Sequence, residues 1–333
     1  MIALLGNRKI AQFGYVCNAL SNLGVDPLLL DFCSEQRLSF SMSKSGRLSL
    51  VLNGNFVDEI SCAWRCAKFL HLKFGCAETW VNEYIRGNFQ KESYLNFISL
   101  HEEVILNRPK MDYFSQRKIS QLEFAARSGF RIPRTIVSNS LDDIELWVSG
   151  GENFITKCIG DSIIPRIKDG IVSQESIPTC RLSVEYLNSQ PSRIEPFHVF
   201  IQDEIDKKFE YRCVYINGRI FSFRIDPFQH PIMEVDYRMG GMMVNYEPCD
   251  IPDILKSKII DFSKNIRLFS GCFDFIEDKS GEYYFLEVNP EGIWGLHDEI
   301  VDGEISLEVA RQLLKISNEN RSTKSSVFYS RCS

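Results

Sequence analysis

The sequence lacks features that would place it in several large classes of protein. No apolar run approaches the roughly 18 residues that a membrane-spanning helix needs, so we expect no membrane partner. The 333 residues carry 44 acidic and 38 basic side chains, and this net charge of −6 argues against nucleic acid as the main partner. The N-terminus places its apolar run before its basic residues, which is the reverse of a secretion signal, so we interpret it as a first strand.

Cysteine and histidine are present, but not in the arrangement of a zinc site or of a catalytic nucleophile. The eleven cysteines are scattered, and the closest pair, Cys62 and Cys66, has no second Cys or His cluster near it. With only five histidines, the sequence shows no Ser-His-Asp or Cys-His arrangement. We therefore expect small buried thiols in a protein of the reducing cytoplasm.

The patterns that are present predict an α/β chain, with an α+β portion, built from several subdomains. Residues 1–112 alternate strand and helix signals and form the first predicted domain. A helix at 115–128, a stop at Gly129 and a strand open a second subdomain at 113–185. Antiparallel strand signals dominate a third at 186–318, and the polar residues 319–333 predict a flexible tail.

The most informative segment is GCFDFIEDKSGEYYFLEVNPEGIWGL, residues 271–296. A four-residue turn at 278–281 separates two runs of β-branched and aromatic residues, which predicts a hairpin. That turn would pair Glu277 with Glu282 and Asp274 with Phe285. Because side chains alternate with period two, this register places Asp274 on the same face as residues 287 and 289.

Three oxygen donors, Asp274, Glu287 and Asn289, therefore converge at the end of this hairpin. Carboxylates completed by phosphate oxygens are the ligands that Mg²⁺ prefers. The alternative is a solvated sheet face that happens to be acidic. The apolar neighbours Phe285 and Val288 favour the metal site, since unpaired carboxylates on a covered strand are costly.

A second hairpin is predicted by the Asn217-Gly218 turn, which is typical of two-residue hairpin loops. Arg212 and Arg224 lie near its open end, where they could meet phosphate groups as planar donors. An ordinary sheet edged by arginines is the alternative, and the hairpin alone does not decide against it.

Two lysines complete the set of candidates. Lys118 lies on the helix that follows Arg117, and Lys157 lies late in a strand that starts near Asn153. Most lysines are solvated surface charges. Lys157 has apolar neighbours along its strand, and a partly buried ammonium requires an anionic partner.

Taken together, these motifs resemble the ATP-grasp superfamily, and within it the microviridin-type, peptide-macrocyclising ligases (graspetide synthetases). The resemblance covers nearly the whole chain. It is carried by the N-terminal strand and helix with Ala63-Trp64-Arg65, by NRPKMDYFSQRKISQLEFAARSGFRIPRT, by FIQDEIDKKFEYR, by FRID with Asp236-Tyr237-Arg238, and by FLEVNPEG. Tyr237 stands where the family's signature usually has Trp.

The resemblance implies an ATP-grasp fold preceded by a pre-ATP-grasp α/β domain, and it implies a role for each candidate residue. Lys118 and Lys157 would contact the α- and β-phosphates of ATP. The hinge residues Gln202, Glu204 and Ile205 would line the adenine, and Glu210 would hold the ribose. Arg212 and Arg224 would neutralise the transferring phosphate, with Asp236 and Arg238 as further catalytic residues. Asp274, Glu287 and Asn289 would ligate Mg²⁺, in a site for two ions.

The implied reaction is ADP-forming. The enzyme would phosphorylate Asp or Glu side chains of a ribosomal precursor peptide, bound through a leader segment, and close ester or amide rings with Ser, Thr or Lys. The likeness also implies a homodimer. Two alternatives stay open at this point: a ligase that adds amino acids to a protein C-terminus or to a small carboxylate, and a non-catalytic nucleotide- or peptide-binding module.

Overall fold

A computed structural model describes most of the chain. The described residues are 1–31, 36–44, 48–57, 59–66, 96, 101, 103–107, 117–151, 153–160, 163–168, 171–183, 185, 189 and 198–331. Within these residues the structure has no helix that is both long and apolar enough to cross a membrane. The architecture is mixed α/β, as the sequence predicts.

The N-terminal region is a parallel sheet covered by helices. Its strand order is β2 (Leu28–Asp31), β1 (Ile2–Gly6), β6 (Cys62–Cys66) and β7 (Ile105–Leu106). Both central strands are buried along their whole length, as is usual for parallel strands with covered faces. Helix α1 (Ala11–Asn22) packs against the sheet. Between β2 and β6 in the chain, a small antiparallel sheet is formed by β3 (Leu38–Met42), β4 (Leu48–Leu52) and β5 (Asn55–Phe56).

The central region is a four-stranded antiparallel sheet. Its order is β12 (Cys180–Leu182), β9 (Phe154–Thr156), β13 (Val199–Asp203) and β8 (Thr135–Ser138). Two helices belong to this region, α2 (Lys118–Arg127) and α3 (Leu141–Val148). A separate hairpin is formed by β10 (Ile163–Lys168) and β11 (Ile171–Ser176).

The C-terminal region is a five-stranded antiparallel sheet. Its order is β16 (Glu247–Cys249), β15 (Arg219–Ile225), β14 (Lys207–Ile216), β17 (Ser270–Asp278) and β18 (Tyr283–Asn289). Helix α4 (Asp253–Asn265) lies between β16 and β17 in the chain, and α5 (Gly295–Ile300) and α6 (Glu304–Arg331) follow β18.

The two faces of this sheet have different neighbours. One face packs on α4 through a cluster of rings, with Phe262 lying 5.6 Å from Phe273 and 5.8 Å from Phe285 between ring centroids. On the other face, Val214 and Ile216 join a core with residues of α1, α5 and α6. Further along the same face, the charged side chains of Glu210 and Arg212 lie beside a smaller apolar cluster that includes Ile225 and Tyr237. We call this charged end of the face the polar face of the sheet.

The predicted hairpin at 278–281 forms, but in a different register. Glu277 pairs with Tyr283 and not with Glu282, and Asp274 pairs with Glu287 and not with Phe285. The prediction is wrong by one residue at the turn, where five residues and not four separate Glu277 from its partner, and the bulge between Asp274 and Phe275 shifts the pairing by one more. The Asn217-Gly218 turn forms as predicted, with positive φ angles of 40° and 106°.

Two other predicted segments can be compared with the structure. The sequence also predicts one helix from about residue 79 to residue 106. This prediction is wrong at its end, because Ile105–Leu106 is a strand paired in parallel with β6; most of the segment lies outside the described residues. The proposed tail, 319–333, is helical as far as residue 331, and Asn320 donates to the Ser61 carbonyl at 2.7 Å.

Candidate active site

The two predicted carboxylate ligands face each other across the β17–β18 ladder. Continuing the register of the turn without interruption would place Glu287 opposite Phe273, on the aromatic face of the sheet. The bulge inserts Leu286 as an extra residue and moves Glu287 opposite Asp274. Asp274 and Glu287 therefore share the polar face, and Asn289 follows two residues further on the same strand.

Arg212 on the adjacent strand holds Asp274. The two residues are paired in the β14–β17 ladder, and the guanidinium donates from one nitrogen to both carboxylate oxygens, at 3.0 and 2.9 Å. Burial raises the pKa of Asp274, and the charge of Glu287 adds to this, while Arg212 opposes it. A buried carboxylate beside a second one is a site where a further cation is favoured.

Glu287 is held by lysines from the central region. The ammonium of Lys118, the first residue of α2, donates to Glu287 at 2.6 Å. Burial acts to raise the pKa of Glu287, but the charges of Lys118 and Lys157 prevail and lower it to about 2. The carboxylate is therefore charged at neutral pH.

Lys157 directly follows β9, with its ammonium 5.2 Å from the centre of the Phe200 ring. Burial lowers its pKa to about 8, and the nearby charges of Lys118 and Arg238 act in the same direction, whereas Glu287 opposes them. A half-buried lysine under repulsion from two other cations is prepared for an anion of higher charge than one carboxylate.

The Asp236-Tyr237-Arg238 motif lies at the start of a short helical turn in the same site. Arg238 donates to both oxygens of Asp236, at 2.7 and 2.6 Å, and Asp236 also accepts from the backbone N–H of Thr179 at 3.1 Å. Burial acts to raise the pKa of Asp236, but Arg238 overcomes this effect and lowers it. Tyr237 is buried, with its ring packed edge-on against Tyr246.

The hinge between β13 and β14 borders a cavity of about 240 Å³. Glu204 donates its backbone N–H to the Asn153 carbonyl at 2.9 Å. Arg181, which the sequence analysis did not single out, bridges Glu204 and Glu234 at 2.8 and 2.6 Å across the cavity. The cavity is lined by Asn153, Arg181, Glu204, Ile205, Asp206, Lys207, Phe228 and Glu234.

The third hinge candidate, Gln202, and the ribose candidate, Glu210, lie off this cavity lining. Gln202 is fully buried and donates to the Thr135 hydroxyl at 2.9 Å. Glu210 is buried and paired with Lys207 at 2.8 Å, and burial raises its pKa. Because Glu210 and Arg212 are two residues apart on β14, both lie on the polar face of the sheet.

Arg224 is not brought to the site. The two-residue turn pairs Arg212 with Phe223 and Arg224 with Tyr211, so the two arginines lie on opposite faces of the sheet. Arg224 pairs with Glu247 at 2.6 Å, and its guanidinium lies 4.6 Å from the Phe209 ring centre. The prediction had placed both arginines at the phosphates without fixing this register. We therefore leave Arg224 out of the candidate site.

The donor set at the polar face fits Mg²⁺. Among the described residues, no three His, Cys, Asp or Glu side chains are grouped to hold a metal alone. Two facing carboxylates with an amide nearby are instead the partial set that Mg²⁺ accepts when phosphate oxygens and water complete its shell. In the structure, Asn289 uses its side-chain oxygen to accept from the Glu291 backbone N–H at 3.1 Å.

Comparison with known proteins gives the fold. Searches with protein-family models and against curated proteins found no match. Solved structures do match. A RiPP-associated ATP-grasp ligase from Chryseobacterium gregarium, in complex with ADP and a leader and core peptide, is 19% identical, with a TM-score of 0.80 over 94% of this chain and 96% of that one.

Two further structures agree with it. The macrocyclase MdnC from Microcystis aeruginosa, bound with its precursor peptide MdnA, is 20% identical, with a TM-score of 0.77 over 95% of this chain and 100% of that one. The ATP-grasp ligase PsnB, complexed with a minimal precursor, Mg and ADP, is 15% identical, with a TM-score of 0.73 over 95% and 97%. The chain has the ATP-grasp fold, as the sequence motifs predicted.

Proposed function

We propose that this chain is an ADP-forming ligase that transfers the γ-phosphate of ATP to a side-chain carboxylate of a ribosomal precursor peptide. A Ser, Thr or Lys side chain of the same peptide then closes an ester or amide ring. The observation that supports this most is one polar face on which four cations, Lys118, Lys157, Arg212 and Arg238, surround the facing pair Asp274 and Glu287.

The arrangement of charges suits phosphoryl transfer, which depends on positioning and charge neutralisation more than on covalent catalysis. Lys118 and Lys157 extend from the central region toward the carboxylate of Glu287, where a triphosphate would offer them a stronger anionic partner. Arg212 is fixed by Asp274, and Arg238 by Asp236. Guanidinium groups held in this way bind phosphate or carboxylate oxygens with little loss of side-chain freedom.

The reaction needs no protein nucleophile. The substrate carboxylate attacks the γ-phosphorus of ATP, which gives an acyl phosphate and releases ADP. The hydroxyl or amine of the peptide then attacks the acyl carbon, and inorganic phosphate leaves with the electron pair of the broken C–O bond. Mg²⁺, when bound, supplies charge neutralisation on the phosphates, and Asp274, Glu287 and Asn289 are the residues that would hold it.

Peptide as the substrate class is supported by the neighbours. Three structures that match over at least 94% of this chain were solved with a precursor, or with leader and core peptides. We infer from this that the substrate of the present chain has a leader segment that the enzyme recognises. An amino acid or another small carboxylate is the alternative substrate on the same fold.

The test is the intact mass of a precursor peptide encoded beside this gene, after incubation with enzyme, ATP and Mg²⁺. We expect ATP-dependent loss of one or more waters, abolished by Glu287→Gln. Glu282→Gln is the matched control, because Glu282 lies on the same hairpin but is half-exposed and pairs with Arg131 away from the site. An unmodified peptide together with ADP release on free amino acids would reject the peptide substrate and keep ATP-dependent ligation.

A further inference from the structure

Three side-chain carboxamides, from Gln12, Asn107 and Gln121, lie in the interior around the end of β18. Each is only 1% exposed. They come from three places in the chain: α1, the residue after β7, and α2. All three bind the backbone of a single segment, residues 288–294, which follows Glu287. We refer to Gln121, Asn107 and Gln12 as the carboxamide ladder.

The contacts of the ladder are made with every second residue of that segment. Gln121 accepts from the Val288 N–H at 2.9 Å and donates to the Val288 carbonyl at 3.1 Å. Asn107 donates to the Pro290 carbonyl at 2.9 Å. Gln12 donates to the Gly292 carbonyl at 3.3 Å and accepts from the Trp294 N–H at 2.7 Å.

The carboxamides bind the backbone of a segment where it leaves its sheet. Val288 lies near the end of β18, the last strand of the sheet, and beyond Asn289 the chain turns, with the Gly292 N–H donating to the Asn289 carbonyl at 3.0 Å. A carboxamide offers the same donor and acceptor as a peptide group. The ladder therefore satisfies backbone N–H and C=O groups, at the strand end and in the turn that follows, that would otherwise be buried without partners. Pro290 has no backbone N–H, so only its carbonyl needs a partner, and Asn107 donates to it.

The segment that the ladder holds contains the candidate ligand Asn289 and adjoins Arg212. A side chain on Gly292 would place its Cβ 2.5 Å from the Cys272 sulfur and 3.2 Å from an Arg212 nitrogen. Arg212 also donates to the Ile293 carbonyl at 3.3 Å. Asn107 additionally binds the Ser270 backbone at 2.7 and 3.1 Å, so that it joins the start of β17 to the end of β18.

Gln121 connects the ladder to the phosphate side of the site. It lies one helical turn after Lys118 on α2, so both side chains reach β18 from the same face of the helix. Lys118 contacts Glu287 and Gln121 contacts Val288, which are consecutive residues. A shift of α2 along β18 would break both contacts together.

We propose that the carboxamide ladder positions the Mg²⁺–nucleotide site, with Gln121 fixing the distance between Lys118 and Glu287. The inference rests on the proposed function, because it assigns Glu287 and Asn289 to Mg²⁺. These residues are positioning residues, since they reach the ligand only through the backbone that they hold. Partners of this kind around a metal site typically contribute about 10–100-fold to metal affinity.

The experiment measures the dissociation constant of ADP, with and without Mg²⁺, by calorimetry on the full chain. We expect Gln121→Met to weaken Mg²⁺–ADP binding by roughly 10–100-fold, with a smaller effect on ADP alone. Glu123→Gln is the control, because Glu123 lies on the same helix but is exposed and pairs with the exposed Arg127, away from β18. Thermal unfolding is recorded for every variant.

Gln121→Glu provides a second, internal test. When protonated, a carboxyl group both donates and accepts, as the amide does, whereas a carboxylate cannot donate to the Val288 carbonyl. The ratio of variant to wild-type dissociation constants should therefore fall toward one as the pH is lowered to about 5.5, since burial raises the pKa of such an acid.

The outcomes separate the two proposals. Folded Gln121 variants that bind Mg²⁺–ADP as tightly as the wild type would refute the ladder as a positioning device. Gln12→Glu tests the same proposal from α1 in case both Gln121 variants fail to fold. A wild-type protein that binds no Mg²⁺–ADP would instead reject the proposed function, since the ladder variants would then have no binding to weaken.

Discussion

His297 gives the protein a pH-dependent stability whose size follows from the structure. Its imidazole is 5% exposed and lies between the rings of Phe223 and Tyr246, at centroid distances of 4.7 and 4.3 Å. Neither ring nitrogen has a hydrogen-bond partner among the described residues. Burial, together with the charge of Arg212, lowers the pKa of His297 to about 3, from 6.5.

The sign follows from linkage. Between these two pKa values the unfolded chain binds a proton that the folded chain does not, so the free energy of unfolding falls as the pH falls below 6.5. From pH 7 to pH 5 the loss attributable to this group is about 2 kcal/mol, because each pH unit below the unfolded pKa contributes about 1.4 kcal/mol.

The assay is urea unfolding at several pH values, compared between the wild type and His297→Phe. The difference between the two free energies of unfolding should change by about 2 kcal/mol between pH 7 and pH 5, with the variant the less sensitive to acid. His230→Gln is the control, because His230 is on the surface and caps a short helical turn. Parallel pH profiles for the wild type and His297→Phe would refute the reasoning.

Three further predictions concern the site and its frame. Lys157 must be charged to bind a phosphate, and its pKa of about 8 therefore predicts that ADP affinity falls roughly tenfold from pH 7 to pH 9. The ADP affinity of Lys157→Arg should not change over this range, because arginine stays charged. The same pH dependence of ADP affinity in both proteins, measured by calorimetry, would contradict this. Arg212→Gln should abolish ATP-dependent peptide modification, whereas Arg224→Gln should leave it within a fewfold, since the two arginines lie on opposite faces of the sheet. Gly292→Ala should lower both the melting temperature and the Mg²⁺–ADP affinity, because its methyl group would lie 2.5 Å from the Cys272 sulfur. The control is Gly14→Ala, whose methyl group lies in open space within α1 and should stabilise the protein by about 0.5–1 kcal/mol. An unchanged melting temperature and affinity for Gly292→Ala would contradict the prediction.

Local patterns in the sequence were sufficient for features that local chemistry decides. Asn217 and Gly218 both adopt positive φ, which few other residue pairs tolerate, and this turn fixes the register of β14 with β15. The same register separates Arg212 from Arg224. That outcome could have been read from the sequence by counting outward from the turn, and the prediction omitted the step.

Other features depend on contacts between distant parts of the chain and leave little local signal. Gln12 and Asn107 bind residues more than 150 positions away, and although Asn107 begins the segment NRPKMDYFSQRKISQLEFAARSGFRIPRT, nothing in that segment indicates its distant partners. Arg181 reaches Glu234 across 53 positions. Gln121 is the exception, because its place three residues after Lys118 puts it on the same helix face. Buried amides are satisfied by whichever backbone the fold leaves unpaired, which only the assembled structure shows.

The bulge at Leu286 is the irregularity on which the candidate site depends. Asp274 and Glu287 share one face in the predicted register, although the turn shifts the actual pairing by one residue, and the bulge restores that shared face by shifting the pairing once more. The same extra residue reverses the backbone edges. Before the bulge, the backbone N–H of Phe285 points away from β17 and donates to the Arg131 carbonyl at 2.9 Å. After the bulge, the backbone N–H of Val288 points away from β17 and donates to Gln121. One inserted residue therefore turns Glu287 away from the aromatic core and presents to the carboxamide ladder the edge that it binds.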